Sequence, residues 1–352
     1  MNVSGSRGED EAGSAAAAGV RPIFVFGCAR SGTSLLSRIL NRHPDIAVPF
    51  ECHVFNLYAP LLRFYGDLGV RVNRERLVDD VLSSFYFRHW QPRPDPRAVL
   101  AAIRGDGLGN VFDAILTTWT RSVGKPRWGE KSPHHIEYWE QLHEIYPKAQ
   151  VVHIVRDGRD VALSLLRARF GPKTVFAAAG YWRAYLLHVE RMKQTTAARD
   201  VFELKYEDLV REPQQQVRDL CDFLGEPYSD ELLRYYETGT PYPTDRDNLR
   251  NLQMPIMRDN AEKWKTRLSP SEIRIFEAVA GDMLERYGYE RLAPEARLSR
   301  AHVAYLRWLQ APPRRLLAML RNRRGYVEAW IMLRIRLRLA LHYARAILAS
   351  SD

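Results

Sequence analysis

Four short apolar runs rich in β-formers punctuate the chain, and each predicts a buried strand: Ile23–Phe26, Ile46–Val48, Gln150–Val155 and Val201–Leu204. After the first, the pattern changes to the helical spacing of Leu35, Leu36, Ile39 and Leu40, which His43-Pro44-Asp45 stops. After the third, a polar turn from Arg156 to Asp160 leads into Val161, Leu163, Leu165 and Leu166, again at helical spacing. Strand, polar turn and helix make the βα unit of a parallel sheet. Residues 54–121 read as mostly helical, with a Pro-broken stretch at 91–97 and a Gly-rich loop at 105–109. Further helices are predicted over 175–196, 213–224 and 269–287. No period of a repeat architecture is visible.

Two segments stand outside this pattern. Residues 1–20 are rich in Gly, Ser and Ala and carry Glu9, Asp10 and Glu11, so they predict a disordered tail rather than a secretory signal. Residues 297–352 form a basic extension. On a helix, Trp330, Leu333, Leu337, Leu341, Ala344 and Leu348 share one face flanked by Arg334, Arg338 and Arg345. Such a face suits peripheral contact with an anionic membrane, packing on the body, or a homodimer. Its apolar runs are too broken by arginine to span a bilayer. The organisation expected is therefore a tail (1–20), one α/β domain (21–296) and a basic amphipathic helical extension (297–352).

Charge sharpens that division. The whole chain carries 52 basic and 42 acidic residues, a net +10. From Arg297 onward there are 12 Arg and no Lys against Glu328 and Asp352, so the extension accounts for the whole excess. The body is balanced, which argues against a nucleic-acid-binding domain. Three cysteines without a CxxC pair exclude a disulfide framework and fit a cytoplasmic protein, with the tail a candidate for the inner membrane face.

The candidate chemistry starts at Phe26–Leu36, FGCARSGTSLL: a strand, a loop with Gly27 and Gly32, and a helix whose first turn is expected to hold Ser31, Thr33 and Ser34. Such a turn aims backbone N–H groups and hydroxyls at one point, and the helix dipole makes that point attractive to phosphate. A nucleotide-triphosphatase loop would need Lys where Thr33 stands. Arg156 ends the third strand where a magnesium-binding Asp would sit, and it attracts phosphate instead. The GxGxxG spacing of a dinucleotide fold is absent. What remains is a nucleotide with separated phosphates and no metal.

These residues resemble the sulfotransferases that use 3′-phosphoadenosine 5′-phosphosulfate (PAPS), most closely the branch containing the tyrosylprotein enzymes and many bacterial members. The resemblance covers most of residues 21–289 and implies a P-loop-like three-layer fold. It also implies that Arg30, Ser31, Gly32, Thr33 and Ser34 grip the 5′-phosphosulfate and that Arg156 and Ser164 bind the 3′-phosphate. Glu51, in Pro49-Phe50-Glu51-Cys52, matches the general base, with Cys52 where the family carries a hydroxyl. Gly129–Pro133, GEKSP, puts Lys131 near the transferring group. Arg258 and Lys263 fall in a segment that closes over the nucleotide, and Tyr206-Glu207-Asp208-Leu209 reads as structural. The acceptor implied is a hydroxyl of a carbohydrate, lipid, natural product or protein tyrosine. His134 and His135 are expected to line the acceptor site and His153 to be a satisfied core residue. Two rivals stay open: a nucleotide kinase, and a noncatalytic nucleotide-binding adaptor at a membrane.

Overall fold

The computed structural model describes residues 21–168, 170–237, 251–321 and 323–349; the tail expected at 1–20 lies outside them. Five parallel strands form the central sheet in the order β2-β3-β1-β4-β5. They are β1 (Ile23–Phe26), β2 (Ile46–Ala47), β3 (Arg127–Glu130), β4 (Gln150–Val155) and β5 (Val201–Lys205). β1 lies at the centre, with Ile23 to Phe26 opposite Gln150 to His153 of β4 and with Ile23 and Phe24 opposite Gly129 and Glu130 of β3. All four β1 side chains are fully buried. A run with no polar alternation is what a parallel strand covered on both faces requires.

The helix following β1, α1 (Thr33–Arg42), buries Leu36, Ile39 and Leu40 in the common core. The helix following β4, α2 (Gly158–Arg167), packs on the long α3 (Val175–Thr195), which in turn lies along α4 (Pro270–Arg286). The expected helical stretch after β2 resolves into Val54–Tyr58, Arg71–Ser83, Pro96–Ala102 and Leu108–Ser122 with short 3₁₀ turns between them. After β1 the chain turns toward β2, and after β4 toward β5, on the other side of the sheet. Connections that part in this way leave a crevice at the carboxyl ends of β1 and β4, the usual binding place in an open α/β sheet.

β3 was not foreseen, because RWGE has no apolar run. Its charges are buried in bonds of their own. Arg127 donates from Nε to the Arg21 carbonyl at 2.7 Å, and from Nη1 to the Leu224 carbonyl at 2.9 Å and Glu226 at 2.8 Å. Phe24 and Trp128 meet edge to face at 5.7 Å, and Trp139 and Tyr146 close on Phe24 at 5.8 Å each.

The basic extension is helical, with α5 (Ala311–Arg321) and α6 (Arg323–Ala349) its longest parts. It meets the body through a face other than the expected one. Met332, Ile335 and Leu339 are buried in the core, and Arg338 pairs with Asp80. Trp330, Leu333, Leu337 and Leu341 stand exposed, while the side chains of Ala344, Arg345 and Leu348 lie outside those described.

His153 is buried on β4 and donates from Nδ1 to Glu203 on β5 at 2.7 Å, but its buried Nε2 has no partner among the described residues, so it is only half satisfied; Glu203 also pairs with Lys193. Burial pushes the Glu203 carboxyl up, but the His153 and Lys193 contacts pull it down further, to about 2 from an ordinary 4.5. A depressed carboxyl contributes stability that is complete above its unfolded value and vanishes as pH falls through its folded value. Urea-unfolding midpoints of the wild type should therefore exceed those of Glu203→Gln above pH 4.5 and converge on them between 4.5 and about 2. A constant gap across that window would show that the charge on Glu203 is irrelevant.

Candidate active site

The turn between β1 and α1 is shaped by its glycines. A Cβ on Gly27 would meet the Ile154 carbonyl and Thr33 Cγ2, both at 2.6 Å, so only glycine lets the loop lie against β4. Gly32 has φ +100°, a conformation that costs other residues strain, and a Cβ there would strike the Tyr206 ring at 2.5 Å. Arg30 itself has φ +78°. The loop is closed by Ser31 N–H donating to the Cys28 carbonyl at 2.9 Å.

This turn delivers α1 with an open N-terminus. No side chain caps Gly32, and the first turn holds no acidic residue. Among the described residues, Ser31 Oγ is buried there without a hydrogen-bond partner, as is Arg156 Nε. Buried polar atoms without partners are rare in folded proteins, and orphans gathered at a helix N-terminus fit an anion.

Cations surround the opening. Arg30 donates from Nε to Ser164 Oγ at 2.8 Å, and Arg156 reaches the Arg30 carbonyl at 3.4 Å. Burial draws the Arg30 guanidinium down to about 10, and Arg156 adds to the fall while Glu51 opposes it. Two guanidinium groups crowded this closely favour any anion placed between them. Arg156 lies over the Tyr206 ring at 4.2 Å and donates to the Asn260 carbonyl. Asn260 donates to Tyr206 Oη at 2.6 Å and accepts from Lys263 at 2.8 Å. Trp264 N–H donates to Asp160 at 2.9 Å, so the 260–264 segment is pinned across the crevice. Lys263 joins this cluster; Arg258 stands exposed.

On the other side of the α1 N-terminus, Lys131 is buried and bonds to both Glu51 and Ser34, the latter at 3.4 Å. Glu51 retains 22% side-chain exposure and accepts from His53 Nε2 at 3.1 Å. Burial alone would raise the Glu51 carboxyl, but Lys131 and His53 hold it well below the usual carboxylate range. Glu51, Lys131 and Ser34 are thus brought together, as are Arg30, Arg156 and Ser164, on two sides of one helix end.

The position of Glu51 is set by a clamp that the sequence did not announce. Ser132 Oγ accepts the N–H groups of Cys52 at 3.0 Å and His53 at 3.1 Å, and His135 Nε2 accepts that of Phe55 at 3.2 Å. With Nε2 an acceptor, His135 carries its proton on Nδ1 and donates to Glu130 at 3.0 Å. Cys52 Sγ donates to the other Glu130 oxygen at 3.4 Å. Burial raises the Glu130 carboxyl, and these donors more than reverse it. Cys52, Glu130 and His135 have the composition of a metal site, yet their ligand atoms are already spent on one another. His135 is therefore internal to the clamp and does not line an acceptor pocket, whereas His134 is at the surface on Glu137. Tyr206, read from the sequence as structural, and Asn260, within the segment expected to close over the nucleotide, both join Arg156; His53 was missed, its sole hint being its place two residues after Glu51.

The open α1 terminus between arginines, with a lysine–carboxylate pair beside it, has the charge and geometry suited to a multiply charged anion next to a half-buried carboxylate. The chain belongs to the sulfotransferase family, whose model matches residues 22–230. Relatives include protein-tyrosine sulfotransferase 1 of Danio rerio, 25% identical over 76% of this chain and 72% of its own length. The omega-hydroxy-beta-dihydromenaquinone-9 sulfotransferase of Mycobacterium bovis is 26% identical over 78% of this chain and 76% of its own. The resemblance is thus no closer to the tyrosylprotein enzymes than to this one. A protein of Aquifex aeolicus is 27% identical over 70% of this chain, which spans only 30% of that protein's length. Among solved structures, the sulfotransferase domain of the curacin biosynthetic pathway shares the fold with a TM-score of 0.55 at 20% identity, over 77% of this chain and 98% of its own. That of the Synechococcus olefin synthase does so with 0.54 at 22%, over 77% and 96%.

The clamp gives Cys52 a measurable role. Cys52→Ser keeps a donor toward Glu130 and should leave the denaturant midpoint nearly unchanged. Cys52→Val removes it and should cost about 1–3 kcal/mol, the range for a buried polar group left short of a partner. Equal stability of the two variants would dismiss the bond.

Proposed function

We propose that the protein is a PAPS-dependent O-sulfotransferase with Glu51 as general base. The observation that carries this reading is that Lys131 bridges the Glu51 carboxylate and the first turn of α1, so base, cation and anion site converge. In this reading the loop is P-loop-like in form and takes the 5′-phosphosulfate on Arg30, Ser31, Gly32, Thr33 and Ser34. Arg156 and Ser164 take the 3′-phosphate, and Lys263, with Arg258 from the same segment, closes over the nucleotide. The orphaned Ser31 Oγ and Arg156 Nε support that fit. PAPS supplies the sulfuryl group. The acceptor oxygen forms its bond to sulfur as the sulfur–oxygen bond to the 5′-phosphate breaks, and the phosphate keeps that electron pair. The acceptor proton passes to Glu51.

Charge in such a transfer is spread over the equatorial oxygens, so cations in fixed positions contribute most of the rate. The contacts of Lys131 with Glu51 and Ser34, and of Arg30 with Ser164, support these two cations in that role. A carboxylate held on Lys131 is a weak base. An oxyanion arriving at Ser34 competes for that ammonium and raises the proton affinity of Glu51 when the donor is in place. The proposed acceptor is a hydroxyl-bearing molecule, and the proposed setting is cytoplasmic. Relatives named for protein tyrosine and for an omega-hydroxy-dihydromenaquinone support a hydroxyl acceptor without choosing between a peptide and a lipid.

Two experiments test the reading. Calorimetry without magnesium should find 3′-phosphoadenosine 5′-phosphate bound far better than AMP or ATP. Arg156→Ala should erase the preference over AMP, a loss of roughly ten- to a hundredfold for charge-assisted bonds of about 1.5–3 kcal/mol. Magnesium-dependent ATP binding would favour a kinase instead.

Glu51→Gln should lower turnover by a factor of about 10² to 10⁴ with little change in nucleotide affinity. Because Lys131 depresses the Glu51 carboxyl, Lys131→Ala should move the acid limb of its residual kcat/KM upward, toward the ordinary carboxylate range. Full turnover in Glu51→Gln, with chemistry rate-limiting, would transfer the role to His53.

A further inference from the structure

Exposed apolar side chains are concentrated at one end of the chain. Of the 18 large hydrophobic residues exposed among the described residues, 12 lie from Tyr305 to Tyr343. Single exposed leucines are ordinary; a cluster of them marks a surface that meets something.

α6 explains how the cluster arises, because the helix has two apolar faces. Met332, Ile335 and Leu339 are buried against the body, with Arg338 paired to Asp80 and Tyr343 edge-on to Phe64 at 5.5 Å. At about 100° per residue, Trp330, Leu333, Leu337 and Leu341 occupy a sector of roughly 80° on nearly the opposite side. They are 59%, 45%, 55% and 63% exposed. Arg334 and Arg336, both exposed, border that sector. In α5, Leu316, Leu317 and Leu320 are exposed beside Arg314 and Arg315. Packing on the body therefore accounts for one face of α6 and leaves the other without a partner among the described residues.

The charge pattern selects the occupant. Between Arg297 and Ala349 stand 12 Arg and a single acid, Glu328. A symmetric dimer through this surface would set the same arginine-bordered stripe against itself, with almost no countercharge. An anionic lipid surface answers both features at once: acyl chains receive the leucines, headgroups receive the guanidinium groups, and tryptophan sits at their boundary. No helix among the described residues is long and apolar enough to cross a membrane, so the arrangement is in-plane. We propose that the exposed stripes of α5 and α6 dock this protein on an anionic lipid bilayer, while the opposite face of α6 fastens the helix to the catalytic body.

The test uses the full chain with vesicles of phosphatidylcholine alone or mixed with phosphatidylglycerol. The expected result is cosedimentation with the mixed vesicles at low salt, weakening as salt rises. Leu333→Glu with Leu337→Glu, both at exposed positions, should reduce partitioning by at least about tenfold, since two apolar side chains are withdrawn from the acyl region and two like charges face the anionic headgroups. The variant should keep the wild-type unfolding midpoint and its affinity for 3′-phosphoadenosine 5′-phosphate. Val72→Glu, an exposed apolar position elsewhere, should bind vesicles like the wild type. Independently of those variants, brominated lipid should quench wild-type tryptophan fluorescence, and Trp308→Phe with Trp330→Phe should abolish the quenching. Equal binding to neutral and anionic vesicles, or binding untouched by the stripe variant, would overturn the proposal. So would a dimer in light scattering that the stripe variant splits while vesicles recover neither form. These readouts are independent of sulfuryl transfer, so failure of one reading leaves the other standing.

Discussion

A helix N-terminus brought into the interior without a cap is the constraint around which the site is built. The first turn of Thr33–Arg42 has unsatisfied N–H donors, no acid beside it and the partial positive charge of the helix dipole. Arg30 and Arg156 then add full charges beside it. Such an arrangement is costly in the free protein, and an anion bound there would relieve it. The same demand accounts for the glycines: Gly27 lets the loop lie on Ile154, and Gly32 turns the chain while leaving room for Tyr206, on whose ring Arg156 rests.

The second element is geometric. In the proposed reading a base must be held near the anion without falling onto the arginines, and the clamp suits this by tying residues 52–55 to residues 130–135. Its bonds are to backbone N–H groups and a buried carboxylate, so it fixes the chain path just after Glu51 and on both sides of Lys131 rather than those two side chains themselves. Those two keep the freedom to exchange partners, which proton transfer needs. A thiol in place of a hydroxyl suffices at Cys52, because the position asks only for a donor toward Glu130.

Much of this was legible in the sequence because the signals were local. Strands β1 and β4 are uninterrupted apolar runs, and the loops after them carry Gly27, Gly32 and Arg156 within a few residues. The parts that escaped depend on tertiary contacts. β3 reads RWGE, and nothing in four residues shows that Arg127 finds two carbonyls and a glutamate, or that Glu130 finds a thiol and an imidazole. His135 looked like a pocket residue because a histidine after Lys131 invites that reading. Burial beside Glu130 made it part of the clamp. Tyr206 and Asn260 meet Arg156 only because the 260–264 segment crosses the crevice.

The extension shows a different limit. Its helical periodicity was correctly read, but a helix with apolar residues on two sides contains two stripes, and spacing alone does not say which one the body takes. The body chose the stripe with Arg338, because Asp80 lies buried between Tyr58 and Tyr65 and needs a cation. Tyr65 donates to that carboxylate at 2.8 Å, and Arg338 supplies the remaining charge. One buried acid in the body thus sets the rotation of a helix more than two hundred residues later. The rotation it sets turns the other apolar stripe, with its arginine borders, outward.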